Sequence, residues 1–129
     1  MAKKVLIVDD EPNIVAALDY LLGRSGYEAR IACDGDEALR QVEAFGPDLV
    51  LLDVMMPHRS GYVVCQRIRE RPEWSAIKIV ILSAKGRDAE VSKGLALGAD
   101  AYVTKPFSNA ELVARIAQLL GNGKPGDPA

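Results

Sequence analysis

The feature of this sequence that most limits its fold is a regular alternation between short apolar runs and amphipathic helical patterns. Each of five runs of four to six residues is followed by a segment whose apolar residues recur at helical spacing. Strands that alternate with helices form a parallel sheet covered on both faces, because the connections cross over with a right-handed turn. The predicted strands are Lys4–Val8, Tyr27–Ala32, Leu49–Leu52, Ile77–Leu82 and Ala101–Thr104, of which Tyr27–Ala32 is a weaker strand.

Acids stand at the ends of two of these strands. Asp9 and Asp10 end the first strand, and Asp53 ends the third. For five strands we predict a doubly wound, flavodoxin-like (βα)5 α/β fold with the parallel strand order 2-1-3-4-5. The winding direction of this sheet changes between strands one and three, where ligands of such folds bind. A solvated acid that merely ends a strand explains Asp53 alone equally well, but not its coincidence with Asp9 and Asp10.

The helical segments carry recognisable start signals. Pro12 suits the first turn of the first helix, and Asp34–Glu37 and Ser108–Glu111 have the spacing of capping boxes. The fourth segment, Lys85–Gly98, contains three glycines and few apolar residues. An interior glycine costs a helix about 1 kcal/mol relative to alanine, so this segment is predicted to be the least stable helix.

Length and composition favour a single cytoplasmic domain. We expect it at residues 1–120, followed at 121–129 by a flexible tail or the start of a linker. The net charge of −2 and the lack of a basic stripe argue against direct binding of nucleic acid, and no apolar run could span a membrane. The N-terminus is not a signal peptide, and Cys33 and Cys65 lack CxxC spacing, so reduced thiols are predicted.

The predicted sheet brings five polar side chains to one edge, namely Asp9, Asp10, Asp53, Ser83 and Lys105. Three carboxylates in close proximity repel one another unless a cation joins them or their pKa values rise. Mg²⁺ binds one or two carboxylates together with waters and phosphate oxygens. An ammonium and a hydroxyl suit phosphoryl oxygens, and a carboxylate can accept a phosphoryl group. The set therefore indicates phosphoryl transfer to Asp53 assisted by Mg²⁺.

At these residues the chain resembles a response-regulator receiver domain of bacterial two-component signalling. The matching motifs lie in the family's order and extend over residues 3–120. A lone DD or KP pair would be a weak signal, but the motifs together are highly specific. They are VLIVDDEP at Val5–Pro12, LVLLDVMMPxxxG at Leu49–Gly61, VILSA at Val80–Ala84, GADAYVTKPF at Gly98–Phe107 and a final amphipathic helix.

The resemblance implies the chemistry of the acidic cluster. It implies that Asp53 is the phosphoacceptor. The implied Mg²⁺ ligands are Asp9, Asp10, Asp53 and the backbone carbonyl of Met55. A role of Asp9 or Asp10 as a cap of the first helix is the alternative, and one of them could serve both purposes.

The resemblance also implies how the phosphoryl group is bound and sensed. Ser83 and Lys105 would bind its oxygens, the peptide bond from Lys105 to Pro106 would be cis, and Ser83 and Tyr102 would form the switch pair. Ordinary packing on its strand is the alternative for Tyr102. His58, the single histidine, lies outside the motif and is expected to be an ordinary surface residue.

The implied function is a phosphorylation-activated signalling switch rather than an enzyme, apart from self-phosphorylation by small donors and autodephosphorylation. A sensor histidine kinase or a histidine phosphotransfer protein would supply the phosphoryl group. The response would appear on the face formed by the fourth helix, the fifth strand and the fifth helix. That face would control an output domain, an effector protein or a phosphorylation-dependent homodimer.

Three other classes of protein fit these residues less well. A flavodoxin-like FMN protein needs a glycine- and hydroxyl-rich loop after the first strand, where this chain has DDEP. A hydrolase that uses Asp53 covalently needs a second acid two residues later, where Met55 stands. A phosphorylation-independent receiver-like interaction domain would lack a site residue, and here no acid, hydroxyl or lysine is missing.

Overall fold

The structure, a computed structural model, describes residues 3–53, 61–84, 88–105 and 107–120. Within these ranges, strands and helices alternate as the sequence predicts. The strands are β1 (Lys4–Val8), β2 (Glu28–Ala32), β3 (Leu49–Asp53), β4 (Lys78–Ala84) and β5 (Ala101–Lys105). The helices are α1 (Pro12–Arg24), α2 (Gly35–Phe45), α3 (Gly61–Glu70), α4 (Asp88–Ala96) and α5 (Asn109–Leu119), with a short 3-10 helix at Pro72–Trp74.

The five strands form one parallel sheet in the order β2-β1-β3-β4-β5, which confirms the predicted topology. β3, β4 and β5 each extend further at their carboxyl ends than predicted, and β2 and β4 each begin one residue later. The apolar pattern of β4 stops at Leu82, but pairing with β5 continues through Ser83 opposite Thr104 and Ala84 opposite Lys105. Ser83 and Lys105 are therefore strand residues rather than the first residues of loops, because hydrogen bonds to a neighbouring strand define a strand end more strictly than its apolar residues do.

Both faces of the central strands β1, β3 and β4 are buried, which explains why these strands have continuous apolar runs, whereas burial alternates along much of the edge strands β2 and β5. On one face, alternate residues of β1 and β3 pack with Leu18 and Leu22 of α1 and with Leu112 and Ile116 of α5. On the other face, the remaining residues of these strands pack with Val42 of α2 and with side chains of α3. No helix within the described ranges has both the length and the apolar character needed to cross a membrane.

Two helix starts confirm the predicted capping residues. The Asp34 carboxylate accepts a hydrogen bond from the backbone N–H of Glu37 at 2.8 Å, and the Ser108 hydroxyl accepts one from Glu111 at 3.1 Å. The Glu37 carboxylate in turn accepts from the backbone N–H of Cys33, one residue before the cap, at 2.6 Å. This bond orders the connection from β2 to α2, at the same edge of the sheet as the acids.

The glycines of the fourth helix have a role that composition does not reveal. α4 ends at Ala96, earlier than predicted, since Gly98 lies in the turn that follows it; Gly86 lies outside the described residues. Gly94 is buried against β4, where a Cβ atom would overlap the side chain of Ile81. Gly94 therefore allows the helix to approach the sheet closely, in addition to its unfavourable helix propensity.

This packing predicts that Gly94→Ala lowers the free energy of unfolding by about 1–3 kcal/mol, the range for overpacking a core. Ile81 is fully buried, so it can move aside only by displacing packed neighbours. Gly23→Ala in α1 is the matched control, because a Cβ there meets nothing within 4 Å. The free energy of unfolding of the control should rise by about 0.5–1 kcal/mol, because alanine has a higher helix propensity than glycine. Urea denaturation of both variants measures the difference, and equal stabilisation of both would contradict this role of Gly94.

Candidate functional site

The carboxyl ends of β1 and β3 bring three carboxylates together, as the sequence predicts. Asp9, Asp10 and Asp53 each have an oxygen within 4.8 Å of the others. β1 and β3 are adjacent and pair in register up to Val8 and Leu52, so the residue after each of these two lies at the same edge. Asp9 is completely buried, Asp53 is nearly so, and Asp10 is exposed.

Lys105 joins this cluster from β5. Its Nζ atom donates a hydrogen bond to Oδ2 of Asp9 at 3.0 Å and lies 3.7 Å from Oδ2 of Asp53. β4 separates β5 from β3 in the sheet, so only a long side chain can extend this far. Burial by itself lowers the pKa of Lys105, but the hydrogen bond to Asp9 and the charges of Asp53 and Asp9 outweigh it, and the pKa is raised above its ordinary value. The ammonium therefore remains charged at neutral pH.

The two neighbouring acids of β1 differ in their contacts. Oδ1 of Asp9 accepts a hydrogen bond from the backbone N–H of Glu11 at 3.0 Å, directly before α1 begins at Pro12, while Oδ2 binds Lys105. Asp9 thus orders the entry to the first helix and also pairs with the lysine. Among the described residues, the Asp10 carboxylate makes no hydrogen bond or ion pair. The sequence pattern did not reveal the ion pair of Asp9 and Lys105.

The predicted switch pair lies on adjacent strands. Ser83 of β4 is 3% exposed, whereas Tyr102 of β5 is 44% exposed. Ile81 pairs with Tyr102 and Ser83 pairs with Thr104, so these four residues lie on one face of the sheet. This is the face against which Gly94 of α4 packs. Tyr102 therefore lies diagonally opposite Ser83, with an exposed ring beside a buried hydroxyl.

Several predicted features lie outside the described residues. They are the backbone carbonyl of Met55, His58, Pro106 with its cis peptide bond, and the tail at 121–129. The two cysteines are free thiols, with Cys33 exposed and Cys65 buried.

The donor set fits Mg²⁺. All three side chains supply carboxylate oxygens, the ligands that a hard divalent cation prefers. In an octahedral site with bonds of about 2.1 Å, opposite oxygens lie about 4.2 Å apart and adjacent oxygens about 3 Å apart, so binding Mg²⁺ would bring these carboxylates closer together by up to about 2 Å. Three carboxylates and one ammonium leave the site with a charge of −2, which a divalent cation neutralises.

A doubly wound sheet with this acidic cluster and lysine at its carboxyl edge is the architecture of a signalling receiver domain. The chain belongs to that family, since residues 5–117 match the response regulator receiver domain. It is therefore a receiver domain of two-component response regulators.

The chain is also similar to individual proteins of this family. It is 44% identical over its whole length to the alkaline phosphatase synthesis transcriptional regulatory protein PhoP of Bacillus subtilis, of which it covers 53%. The chain spans about half the length of the curated relatives it matches. A response regulator from Chloroflexus aurantiacus has a crystal structure that matches with a TM-score of 0.91 at 36% identity, covering 94% of this chain and 99% of that one.

A third relative contains a metal. The receiver domain of a sensor histidine kinase from Pseudomonas aeruginosa, with a magnesium ion coordinated in its active-site cleft, matches with a TM-score of 0.86. It is 27% identical, and the match covers 94% of this chain and 99% of that one. The magnesium ion belongs to that protein, and its presence there agrees with the oxygen donors found here.

Proposed function

We propose that this chain is a phosphorylation-activated switch in which Asp53 accepts a phosphoryl group from a sensor histidine kinase or a histidine phosphotransfer protein. The observation that carries the proposal is the convergence of Asp9, Asp10 and Lys105 on Asp53. Of the two acids that contact the lysine, Asp9 is wholly buried, whereas the Asp53 side chain is 12% exposed. Asp53 is thus the acid that a phosphodonor can reach while it remains next to positive charge.

The residues of the site have defined tasks in this transfer. An oxygen of the Asp53 carboxylate forms a bond to phosphorus while the bond from phosphorus to the donor histidine nitrogen breaks, and that nitrogen keeps the electron pair. The Lys105 ammonium and the Ser83 hydroxyl donate hydrogen bonds to the phosphoryl oxygens. Asp9, Asp10, Asp53 and the Met55 carbonyl would hold Mg²⁺, which supplies neutralisation of the phosphoryl charge. Such a domain transfers and stores a phosphoryl group, and we propose no separate enzymatic substrate.

The response of the fold would begin at Lys105 and Ser83. A phosphoryl group adds negative charge and acceptor oxygens, so it would compete with Asp9 for the ammonium and draw the Ser83 hydroxyl toward it. The space vacated beside Ser83 would admit the ring of Tyr102, which is 44% exposed on the neighbouring strand. A change of this kind would alter the face formed by α4, β5 and α5.

Exposed apolar side chains support this face as the output surface. The described residues include three strongly exposed large apolar side chains, and two of them, Leu95 of α4 and Tyr102 of β5, lie on this face. Its partner would be an output domain, an effector protein or a second copy of the chain after phosphorylation. Relatives about twice as long that are transcriptional regulatory proteins favour an output domain in the same polypeptide.

Hydrogen exchange with and without beryllofluoride, a phosphoryl mimic, tests the proposal in the presence of Mg²⁺. We expect altered protection in peptides from α4, β5 and α5, because the mimic draws Ser83 and Lys105 toward Asp53. Asp53→Asn is the control, since it lacks the carboxylate that beryllofluoride requires. Changes confined to the loops after β1 and β3 would contradict the proposed output face.

A further inference from the structure

Helices α3 and α4 are joined along a row of contacts that the site does not include. The contacts run in chain order on both helices. The ammonium of Lys93 lies 4.5 Å from the centre of the Tyr62 ring. One turn further along, the Cys65 thiol donates a weak hydrogen bond to the backbone carbonyl of Leu97, with a distance of 3.7 Å. We call this row, together with the contacts of Arg69 described next, the α3–α4 seam.

Arg69 closes the end of the α3–α4 seam. Its Nε atom donates to the carbonyl oxygen of Gly98 at 2.8 Å, and one terminal nitrogen donates to Oδ2 of Asp100 at 2.7 Å. The same Asp100 oxygen accepts from the backbone N–H of Ile79 at 2.8 Å. The two charged side chains are only 22% and 28% exposed. A shielded, charge-assisted contact of this kind is stronger than a pair in open solvent, and it connects α3, the turn after α4 and the start of β4.

Two glycines fix the same end of α4. Gly98 has a φ of +113°, and a Cβ there would lie 2.7 Å from Cγ of Arg69, so this turn requires glycine and is formed around the arginine. Gly94 packs directly on Ile81 of β4. All of these contacts lie in the second half of α4 or in the turn that follows it; in the first half, the side chains of Asp88, Glu90 and Val91 lie outside the described part of the structure. The first residue of the helix, Asp88, instead follows the end of β4, which carries Ser83.

A helix that is held at one end and attached to a switch at the other moves as a lever. We propose that α4 pivots about its C-terminal end, which the α3–α4 seam holds in place, when the state of the phosphoryl site changes. This inference rests on the proposed function, because the displacement is driven from the same site. At about 1.5 Å of rise per residue, Ala89 lies roughly 14 Å and Ala96 roughly 3 Å from Gly98 along the direction of the helix axis. Rotation about Gly98 therefore displaces Ala89 about 4- to 5-fold more than Ala96.

Distances between pairs of spin labels measure this gradient. One label is placed at Ala44→Cys on α2, and the second at either Ala89→Cys or Ala96→Cys; all three positions are exposed. Cys33→Ser removes the exposed native thiol, and Cys65 is retained because burial raises the pKa of its thiol and shields it from the label. Electron–electron resonance is recorded with Mg²⁺ alone and with Mg²⁺ and beryllofluoride. We expect a shift for position 89 that is several-fold larger than the shift for position 96.

Removal of the anchor tests the α3–α4 seam itself. Arg69→Ala should let position 96 shift on addition of beryllofluoride and broaden its distance distribution. Arg67→Ala, an exposed arginine two residues earlier on α3, should retain the original pattern. An unchanged pattern in Arg69→Ala would overturn the role of the seam. If Arg69→Ala does not fold, the comparison of the shifts at positions 89 and 96 in the protein with Arg69 intact tests the pivot of α4.

Intact-mass measurement of each labelled protein after incubation with acetyl phosphate and Mg²⁺ separates the two hypotheses. A phosphoryl adduct combined with equal shifts at positions 89 and 96, or with a larger shift at 96, overturns the pivot and leaves the proposed function standing. Absence of any adduct overturns both. An adduct with a dominant shift at position 89 supports both.

Discussion

Asp53→Asn is expected to abolish the addition of a phosphoryl group from acetyl phosphate. The site supplies positioning and charge neutralisation, so a small donor with Mg²⁺ should modify the wild-type protein without a kinase. The carboxamide of asparagine is neutral and a poor nucleophile, and it weakens the metal site at the same position. Intact-mass measurement should show one added group on the wild-type protein and none on the variant.

Two controls make this result specific. Asp19→Asn, an exposed acid of α1, should accept a phosphoryl group like the wild-type protein. The Asp53 variant should also remain folded, because Lys105 keeps its 3.0 Å hydrogen bond to Asp9 and loses only the longer contact of 3.7 Å to Asp53. A full-sized adduct on the folded Asp53→Asn protein would refute the assignment of the acceptor.

The topology could be predicted from sequence because it depends on features that are local in the chain. Short apolar runs and helical spacing identify the elements, and the handedness of crossovers then leaves few possible orders. The residues after β1 and β3 meet because both strands are parallel and adjacent. The ends of β4 and β5 could not be predicted as well from sequence. Ser83 and Lys105 belong to strands only because they pair with Thr104 and Ala84.

The division of roles within the site could not be predicted in this way. Asp9 and Asp10 are neighbours in sequence, yet one is wholly buried and bound to Lys105 while the other is exposed. Successive side chains of an extended segment point in opposite directions, and only the three-dimensional structure shows which direction meets the lysine. The pair of Arg69 and Asp100, which are separated by 31 residues, was missed for a similar reason, because neither residue forms a local motif. The sequence indicates only the low helix propensity of Gly94, because its contact with Ile81 depends on how closely the helix approaches the sheet.

Asp9→Asn and Asp10→Asn are each expected to weaken Mg²⁺ binding. They are expected to change the free energy of unfolding of the metal-free protein in opposite directions. Each substitution removes one negative charge and one strong oxygen ligand from the cation site. Asp10 is exposed and makes no ion pair among the described residues, so its neutralisation mainly relieves repulsion from Asp9 and Asp53. At a separation near 4 Å in water, such repulsion amounts to about 1 kcal/mol, which sets the expected gain in the metal-free protein.

Asp9 contributes differently, because its carboxylate is fully buried and binds the Lys105 ammonium at 3.0 Å. A hydrogen bond to a charged group contributes about 1.5–3 kcal/mol, and the remaining contact of Lys105 with Asp53 should keep the loss near the lower end. Urea denaturation in the presence of a chelator measures both changes, and titration calorimetry measures the affinity for Mg²⁺. Unchanged Mg²⁺ affinity in both variants would refute the metal site. An equal loss of stability in both variants would contradict the prediction that the ion pair with Lys105 makes Asp9, unlike Asp10, stabilising.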